Sequence, residues 1–246
     1  MKQDKFAKVI KSIIKLSGGS IDKVNLEQFI FLLKDPLLFP WNFSWNSWLG
    51  VIIQKSPSDL MILQEIMFEK RPDTIIECGT CYGGSAYYMA NLMDLMNING
   101  KIFTIDHHKY PPLEACYKKD LIKIAGDMVA VDMDLYQTRT RPKHPKIKYI
   151  LSDCLSAKIP NLGARTMVIL DCDHSTEHVN LELEKYSNFV TVGQYIIVED
   201  TIIPDKTNSP ARAVKKFLSK NKNFVVDKSR EKFELSTNHG GYLLRV

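Results

Sequence analysis

From residue 59 onward, short apolar runs alternate with amphipathic stretches. Thr74-Ile75-Ile76-Glu77, Ile102-Phe103-Thr104-Ile105-Asp106, Ile147-Lys148-Tyr149-Ile150, Met167-Val168-Ile169-Leu170-Asp171 and Tyr195-Ile196-Ile197-Val198-Glu199 each read as a strand. Between most of them lie helical patterns: Leu60, Leu63, Ile66 and Met67, closed by Lys70-Arg71-Pro72, then Ser85 to Met96, and Glu177 to Phe189. Strands that alternate with helices imply right-handed crossovers and a mostly parallel, doubly wound sheet of Rossmann-like α/β type. The end of the chain breaks the alternation. Phe224-Val225-Val226, Phe233-Glu234-Leu235 and Gly241-Tyr242-Leu243-Leu244 are separated only by turns, which predicts a C-terminal antiparallel hairpin.

The first 58 residues read differently. Two helices are expected through about Asp35, the second carrying Leu26, Phe29, Ile30 and Leu33 at helical spacing. Phe39 to Gly50 follows, with Trp41, Trp45 and Trp48 among proline and polar residues, as a loop or lid suited to core packing or to lining a substrate site. Residues 1–58 are thus an N-terminal helical and aromatic segment for substrate or oligomer contacts, with a possible homo-oligomer in view, and 59–246 a catalytic domain. The 107–145 stretch, with Pro111-Pro112, an amphipathic piece around Leu121 to Met128 and a basic run from Arg139 to Lys146, reads as an active-site cover or a solvated insertion.

A chain of 246 residues with 45% hydrophobic content can bury one substantial core. Its formal charge of +5 is dispersed, without the dense block expected of a nucleic-acid tail, so no nucleic-acid partner is expected. Lysines interrupt the apolar positions of residues 1–16, which argues against a signal peptide or membrane span and for a cytoplasmic protein. Five cysteines make an odd set, so reduced thiols are expected. Cys78 and Cys81 have redox-motif spacing, but Glu77 and the glycines around them are better explained by cofactor binding.

The strongest local signal is Ile75 to Ala86, a strand running into a glycine-rich turn and a helix. In an open α/β sheet that is where a nucleotide-like ligand sits, because glycines allow close backbone approach and the helix start offers free N–H groups. The glycines at Gly79, Gly83 and Gly84 lack the spacing of a pyrophosphate loop, and the strand ends in Glu77. A carboxylate there repels phosphate but suits a cationic sulfonium ligand bearing an ammonium group. Asp106 ends the second strand, placed for ribose hydroxyls, and Asp153 follows the third, placed for adenine. The expected cofactor set is Glu77, Gly79, Tyr82, Gly83, Ser85, Asp106 and Asp153, together with Asp171.

A second constellation lies past the fourth and fifth strands: Asp171, Asp173 and His174, then Glu199 and Asp200. Crowding Asp171, Glu199 and Asp200 at one sheet rim raises their pKa values unless a cation neutralises them, and hard oxygen donors suit Mg²⁺ or another divalent cation. His174 is spaced to act as the base toward a bound hydroxyl. Asp173 is a rival to Asp171 as ligand, and Asp173 and His174 could instead cap the helix starting near Ser175.

These motifs resemble the family that includes cephalosporin hydroxylase-type proteins and rhamnosyl O-methyltransferases. The likeness runs from Trp48 onward: Trp48-Leu49-Gly50 with Lys55-Ser56-Pro57 and Asp59, Ile76 to Thr80 with Gly83-Gly84-Ser85, Leu170 to Ser175, Tyr195 to Thr201, and Gly241-Tyr242-Leu243. The resemblance implies S-adenosylmethionine, Mg²⁺, a histidine base at His174, and a small-molecule hydroxyl acceptor such as a rhamnose-type sugar or glycosylated natural product. Two other classes stay open, an oxidoreductase or hydroxylase acting on an antibiotic and an inactive S-adenosylmethionine-binding module. All-carboxylate ligands weigh against an iron oxygenase, which favours two histidines and one carboxylate.

Overall fold

A computed structural model of the chain describes residues 46–107, 121–124, 127–130, 141–160, 162–202, 207–233 and 236–246. The two expected N-terminal helices, Trp41, Trp45 and Cys116 lie outside the described residues.

A small hairpin, β1 (Ser47–Trp48) and β2 (Val51–Ile52), leads into helix α1 (Pro57–Lys70). Pro57 starts α1 with its φ preset, and Arg71 ends it in the left-handed conformation, its N–H returning to the Met67 carbonyl. There follow β3 (Thr74–Cys78), α2 (Gly84–Leu95) and β4 (Lys101–Asp106), then a hairpin of β5 (Leu121–Ile124) and β6 (Asp127–Ala130) within the 107–145 segment. The remaining order is β7 (Ile147–Leu151), β8 (Thr166–Leu170), α3 (Thr176–Tyr186), β9 (Tyr195–Val198), α4 (Pro210–Lys220), β10 (Phe224–Val226), a 3₁₀ turn (Lys228–Glu231) and β11 (Tyr242–Arg245).

Seven strands form one sheet in the order β10-β11-β9-β8-β3-β4-β7. The pairs β7–β4, β4–β3, β3–β8 and β8–β9 are parallel, whereas β11 is inserted antiparallel between β9 and β10. The predicted doubly wound sheet with antiparallel C-terminal strands is therefore the fold observed. One detail differs: Phe224–Val226 pairs directly with Tyr242–Arg245, and Phe233 is in no strand, since Ser236 N–H turns back to its carbonyl.

The parity of the strands explains why both faces are dry. Ile75, Met167, Ile169, Tyr195 and Ile197 face α1 and α2, packing on Ile62, Ile66, Met67, Met89 and Met93. Their neighbours Ile76, Val168, Leu170, Ile196 and Val198 face α3 and α4, packing on Val179, Leu183, Val214 and Phe217. Each fully buried aliphatic side chain of this kind contributes roughly 1.5–3 kcal/mol through removal from water. The β1–β2 hairpin closes the α2 side: a Cβ at Gly84 would lie 2.1 Å from the Ile52 carbonyl oxygen, so glycine permits this contact. Trp48 meets the Tyr88 ring edge-on at 4.9 Å. Among the described residues, no helix is long and apolar enough to cross a membrane.

Moving from β3, the chain progresses outward through β4 to β7 on one side, and through β8 to β9 on the other. This reversal opens a crevice beyond the carboxyl ends of β3 and β8, the place where ligands bind in open α/β sheets. The candidate residues gather there.

Candidate active site

Beyond β3 the backbone turns sharply through Gly79 (φ +96°) and Gly83 (φ +79°), and Gly83 caps α2. Both φ values are costly for residues with a side chain. Gly79 is fixed by packing as well: a Cβ would fall 1.9 Å from the Asp171 carbonyl oxygen, so the turns after β3 and β8 touch only because this residue is glycine. Tyr82 is buried beneath the turn.

Glu77 is fully buried and held from two directions. It accepts hydrogen bonds from the Ser85 hydroxyl and, at 2.6 Å, from Thr104 Oγ1, while Thr80 Oγ1 lies 2.7 Å from that same Thr104 oxygen. Burial pushes its pKa up against the opposing pull of Lys55 and these hydroxyls. Glu77 and Ser85, both read as cofactor residues, thus bond each other and lock the start of α2 to the end of β3. Asp106 lies across the turn, its Oδ2 accepting from the Cys81 N–H (3.0 Å) and Arg141 Nη2 (2.9 Å). Arg141 Nε also donates to the Cys81 carbonyl at 3.0 Å, so this side chain ties the 141–146 segment onto the glycine turn. Asp153 is exposed and caps its own turn, with Oδ1 accepting from the N–H groups of Leu155 and Ser156.

The second group is built from three elements. Asp171 follows β8, Glu199 and Asp200 follow β9, and His174 precedes α3. The cation that neutralises the buried pair comes from the chain itself: Lys55 Nζ lies 2.8 Å from Asp171 Oδ2 and 2.6 Å from Glu199 Oε2, with Lys55 only 5% exposed. Burial works against the charge on Lys55, but Asp171 and Glu199 outweigh it, and its pKa stands well above the usual value. Burial likewise works against the charge on Asp171, but Lys55 and His174 hold its carboxyl low, whereas burial and repulsion from Asp171 push Glu199 well up. Asp171 therefore carries the negative charge and Glu199 is the member that holds a proton most readily.

Asp171 turns its other oxygen outward. His174 Nε2 lies 3.6 Å from Asp171 Oδ1 and 3.5 Å from Asp200 Oδ2, and one donor atom from each of the three residues falls within 4.8 Å of the others. These separations exceed hydrogen-bond length, and His174 Nε2 is buried without a hydrogen-bond partner. The ion pair with Asp171 raises the His174 pKa against burial, with Asp200 adding to it, while burial and Asp171 raise that of Asp200. The outward carboxylate oxygens of Asp171 and Asp200, with His174 beside them, fit a hard divalent cation. Asp173 is committed elsewhere, its Oδ1 accepting the Ser175 N–H at 2.7 Å, while Ser175 caps α3 through the His178 N–H.

Sequence patterns did not single out the residues that hold Asp200. Its φ of +54° is unfavourable for a side-chain-bearing residue, and its N–H donates to Asn238 Oδ1 at 3.0 Å. The Asn238 loop is anchored by Asp59, which accepts from Ser236 Oγ (2.5 Å), Thr237 N–H (2.9 Å), Thr237 Oγ1 (3.0 Å) and the Tyr242 hydroxyl (3.0 Å). Some 180 residues separate these partners. The only trace in the sequence is that Lys55, Asp59 and Tyr242 fall inside the motifs of the family resemblance.

The family model described as Rhamnosyl O-methyltransferase/CmcI matches residues 42–246. Relatives include the Rhamnosyl O-methyltransferase of Mycobacterium tuberculosis (strain ATCC 25618 / H37Rv), 28% identical over 215 residues that cover 83% of this chain and 80% of the relative. That of Mycobacterium leprae (strain TN) is 28% identical over 218 residues, covering 83% and 86%. Among solved structures, a Mg-SAM form of CmcI is similar with a TM-score of 0.59 at 20% identity, covering 83% of this chain and 78% of the CmcI chain; at that identity the likeness shows the fold. With the family model spanning the whole crevice described above, from the Lys55 segment to β11, the chain belongs to the Rhamnosyl O-methyltransferase/CmcI family and is a class I S-adenosylmethionine-dependent O-methyltransferase.

Proposed function

We propose that this enzyme methylates a hydroxyl of a small molecule, a rhamnose-type sugar or a glycosylated natural product, with help from a divalent cation. The observation that carries the cation is the cluster of Asp171 Oδ1, Asp200 Oδ2 and the orphaned His174 Nε2. The sugar rests on the mycobacterial relatives, which are named rhamnosyl O-methyltransferases.

S-adenosylmethionine supplies the methyl group, and a divalent cation would be held by Asp171 and Asp200, supplying Lewis acidity toward the acceptor oxygen; Glu199, expected from the sequence as a third ligand, is instead paired with Lys55. The protein's part is positioning and charge. Lys55 keeps Asp171 ionised and fixes its orientation, leaving Oδ1 toward the acceptor side. His174 Nε2 takes the proton of the acceptor hydroxyl, and the adjacent carboxylates that raise its pKa also strengthen it as a proton acceptor. Gly79 brings the glycine turn against the Asp171 backbone, so the two halves of the site are neighbours by construction. Holding both reactants there supplies the orientation that dominates such transfers.

Transfer of an isotopic methyl label from S-adenosylmethionine to a rhamnoside tests the proposal. We expect transfer with Mg²⁺ present and its loss both on chelation and in Asp171→Asn, with S-adenosylmethionine affinity kept. Undiminished turnover under both treatments refutes the cation. Absence of transfer to any sugar or aglycone hydroxyl refutes the acceptor class.

A further inference from the structure

Three of the cysteines, unused by the methyl-transfer scheme, converge on the opposite side of β3 and β8 from Glu77. Cys78 ends β3 and points into the α3 layer, Cys154 follows β7, and Cys172 follows β8. On α3, His178 and Glu182 stand four residues apart and face the same spot. Donor atoms of Cys78, Cys154 and Glu182 all lie within 4.8 Å of one another, as do those of Cys172, His178 and Glu182. Cys172 Sγ donates to Glu182 Oε1 at 3.0 Å and lies 3.5 Å from His178 Nε2, which is itself 3.8 Å from Glu182 Oε1. None of the three thiols is in a disulfide.

Two observations set this group apart from ordinary core packing. The Glu182 side chain is fully buried, and its Oε2 has no hydrogen-bond partner. A buried carboxylate oxygen left without a partner forfeits its solvation with nothing in return, so it calls for one. The loop carrying Cys154 is also pinned in place: Lys185 Nζ donates to the carbonyls of Cys154, Leu155 and Ala157 at 2.8–3.0 Å, and the Tyr186 hydroxyl donates to that of Cys154 at 2.6 Å. Such backbone clamping holds a ligand-bearing loop to a fixed geometry.

We propose that Cys78, Cys154, Cys172 and Glu182 form a structural site for a soft divalent cation of the Zn²⁺ type, with His178, whose Nε2 stands 3.8 Å from Glu182 Oε1, as the outer support. Three thiolates and one carboxylate make a closed tetrahedral set, and thiolate softness selects zinc over the Mg²⁺ suited to the oxygen-rich crevice above. The site staples the turns after β3, β7 and β8 to α3. Because the backbone N–H of Asp171 donates to the Cys78 carbonyl and Cys172 adjoins Asp171, the staple also holds the catalytic rim.

The full chain, stripped by a strong chelator under reducing conditions and then given Co²⁺, tests this without reference to activity. We expect one equivalent bound with intense near-ultraviolet thiolate-to-cobalt charge transfer, displaced by Zn²⁺. The band should survive Asp171→Asn and be lost in Cys154→Ser. A cobalt spectrum without thiolate charge transfer overturns the proposal, as does persistence of the band in Cys154→Ser. Should Cys154→Ser fail to fold, thiol titration of the wild type decides: three thiols protected by one equivalent of Zn²⁺ support the site, and unchanged thiol reactivity refutes it.

Discussion

Replacing Lys55 with Met removes the ammonium that bridges Asp171 and Glu199. The contact with Asp171, at 2.8 Å, corresponds to a Coulomb attraction of about 6 kcal/mol in an effective dielectric near 20, and Glu199 adds a hydrogen bond at 2.6 Å. Most of that is offset by the desolvation of a side chain only 5% exposed, so the expected net loss is the roughly 3–5 kcal/mol typical of a buried ion pair with one partner removed. For a chain of this size that lowers Tm by roughly 6–20 °C. The assay is thermal unfolding of Lys55→Met beside wild type, with chelator present so that no added cation replaces the ammonium. Lys55→Met combined with Asp171→Asn should recover much of the loss, since the second change removes the stranded negative charge. The pH dependence carries a definite sign. Asp171 has a depressed pKa in the folded protein, so its stabilisation is present above the ordinary carboxylate range and is lost as pH falls through its folded value. The deficit of Lys55→Met should therefore shrink on acidification. A Tm within about 2 °C of wild type at neutral pH would refute the reasoning that this lysine neutralises the rim.

Other substitutions separate the parts of the site. Asn238→Ala removes the acceptor for the Asp200 N–H, and should cost roughly 1–3 kcal/mol of stability while lowering turnover more than cofactor affinity, as read by calorimetric titration with S-adenosylmethionine. Gly79→Ala places a methyl group 1.9 Å from the Asp171 carbonyl oxygen at a φ of +96°; unfolding at lower temperature and weakened cofactor binding are expected, and unchanged behaviour in both would mean the turn is not fixed as described. His174→Ala should reduce the chemical step by about 10²–10⁴-fold with Mn²⁺ affinity retained, whereas a matching loss of Mn²⁺ affinity would make His174 a ligand and not the base.

Periodicity revealed the sheet because parallel strands buried on both faces are written as continuous apolar runs, and Ile75-Ile76 or Met167 to Leu170 admit few other readings. The position of β11 was less legible. Tyr242 to Leu244 reads as a strand in isolation, but its insertion between β9 and β10 depends on pairings that no local pattern encodes. The acidic residues at strand ends were legible for a geometric reason: in a parallel sheet all such ends share one rim, so Asp171, Glu199 and Asp200 had to be near one another. Repulsion among them called for a cation, and the structure answers part of that call with Lys55, which lies 116 and 144 residues away in sequence from its partners. Nor does the chain announce that Arg141 bonds Asp106, because its basic run looks like any solvated surface segment. Setting aside the redox spacing of Cys78 and Cys81 agrees with their placement: Cys78 faces Cys154 and Glu182 of α3, whereas Cys81 lies on the glycine turn with its N–H on Asp106.

The claim underlying all of this is that the glycine turn and the Asp171–His174–Asp200 cluster are two halves of one active site. Anomalous diffraction from crystals grown with Mn²⁺ and S-adenosylhomocysteine measures it directly. The account predicts a manganese peak bound by the Asp171 and Asp200 carboxylates, with the cofactor lying across the turn from Gly79 to Gly83. Manganese absent from those carboxylates, or a cofactor bound away from that turn, would contradict it.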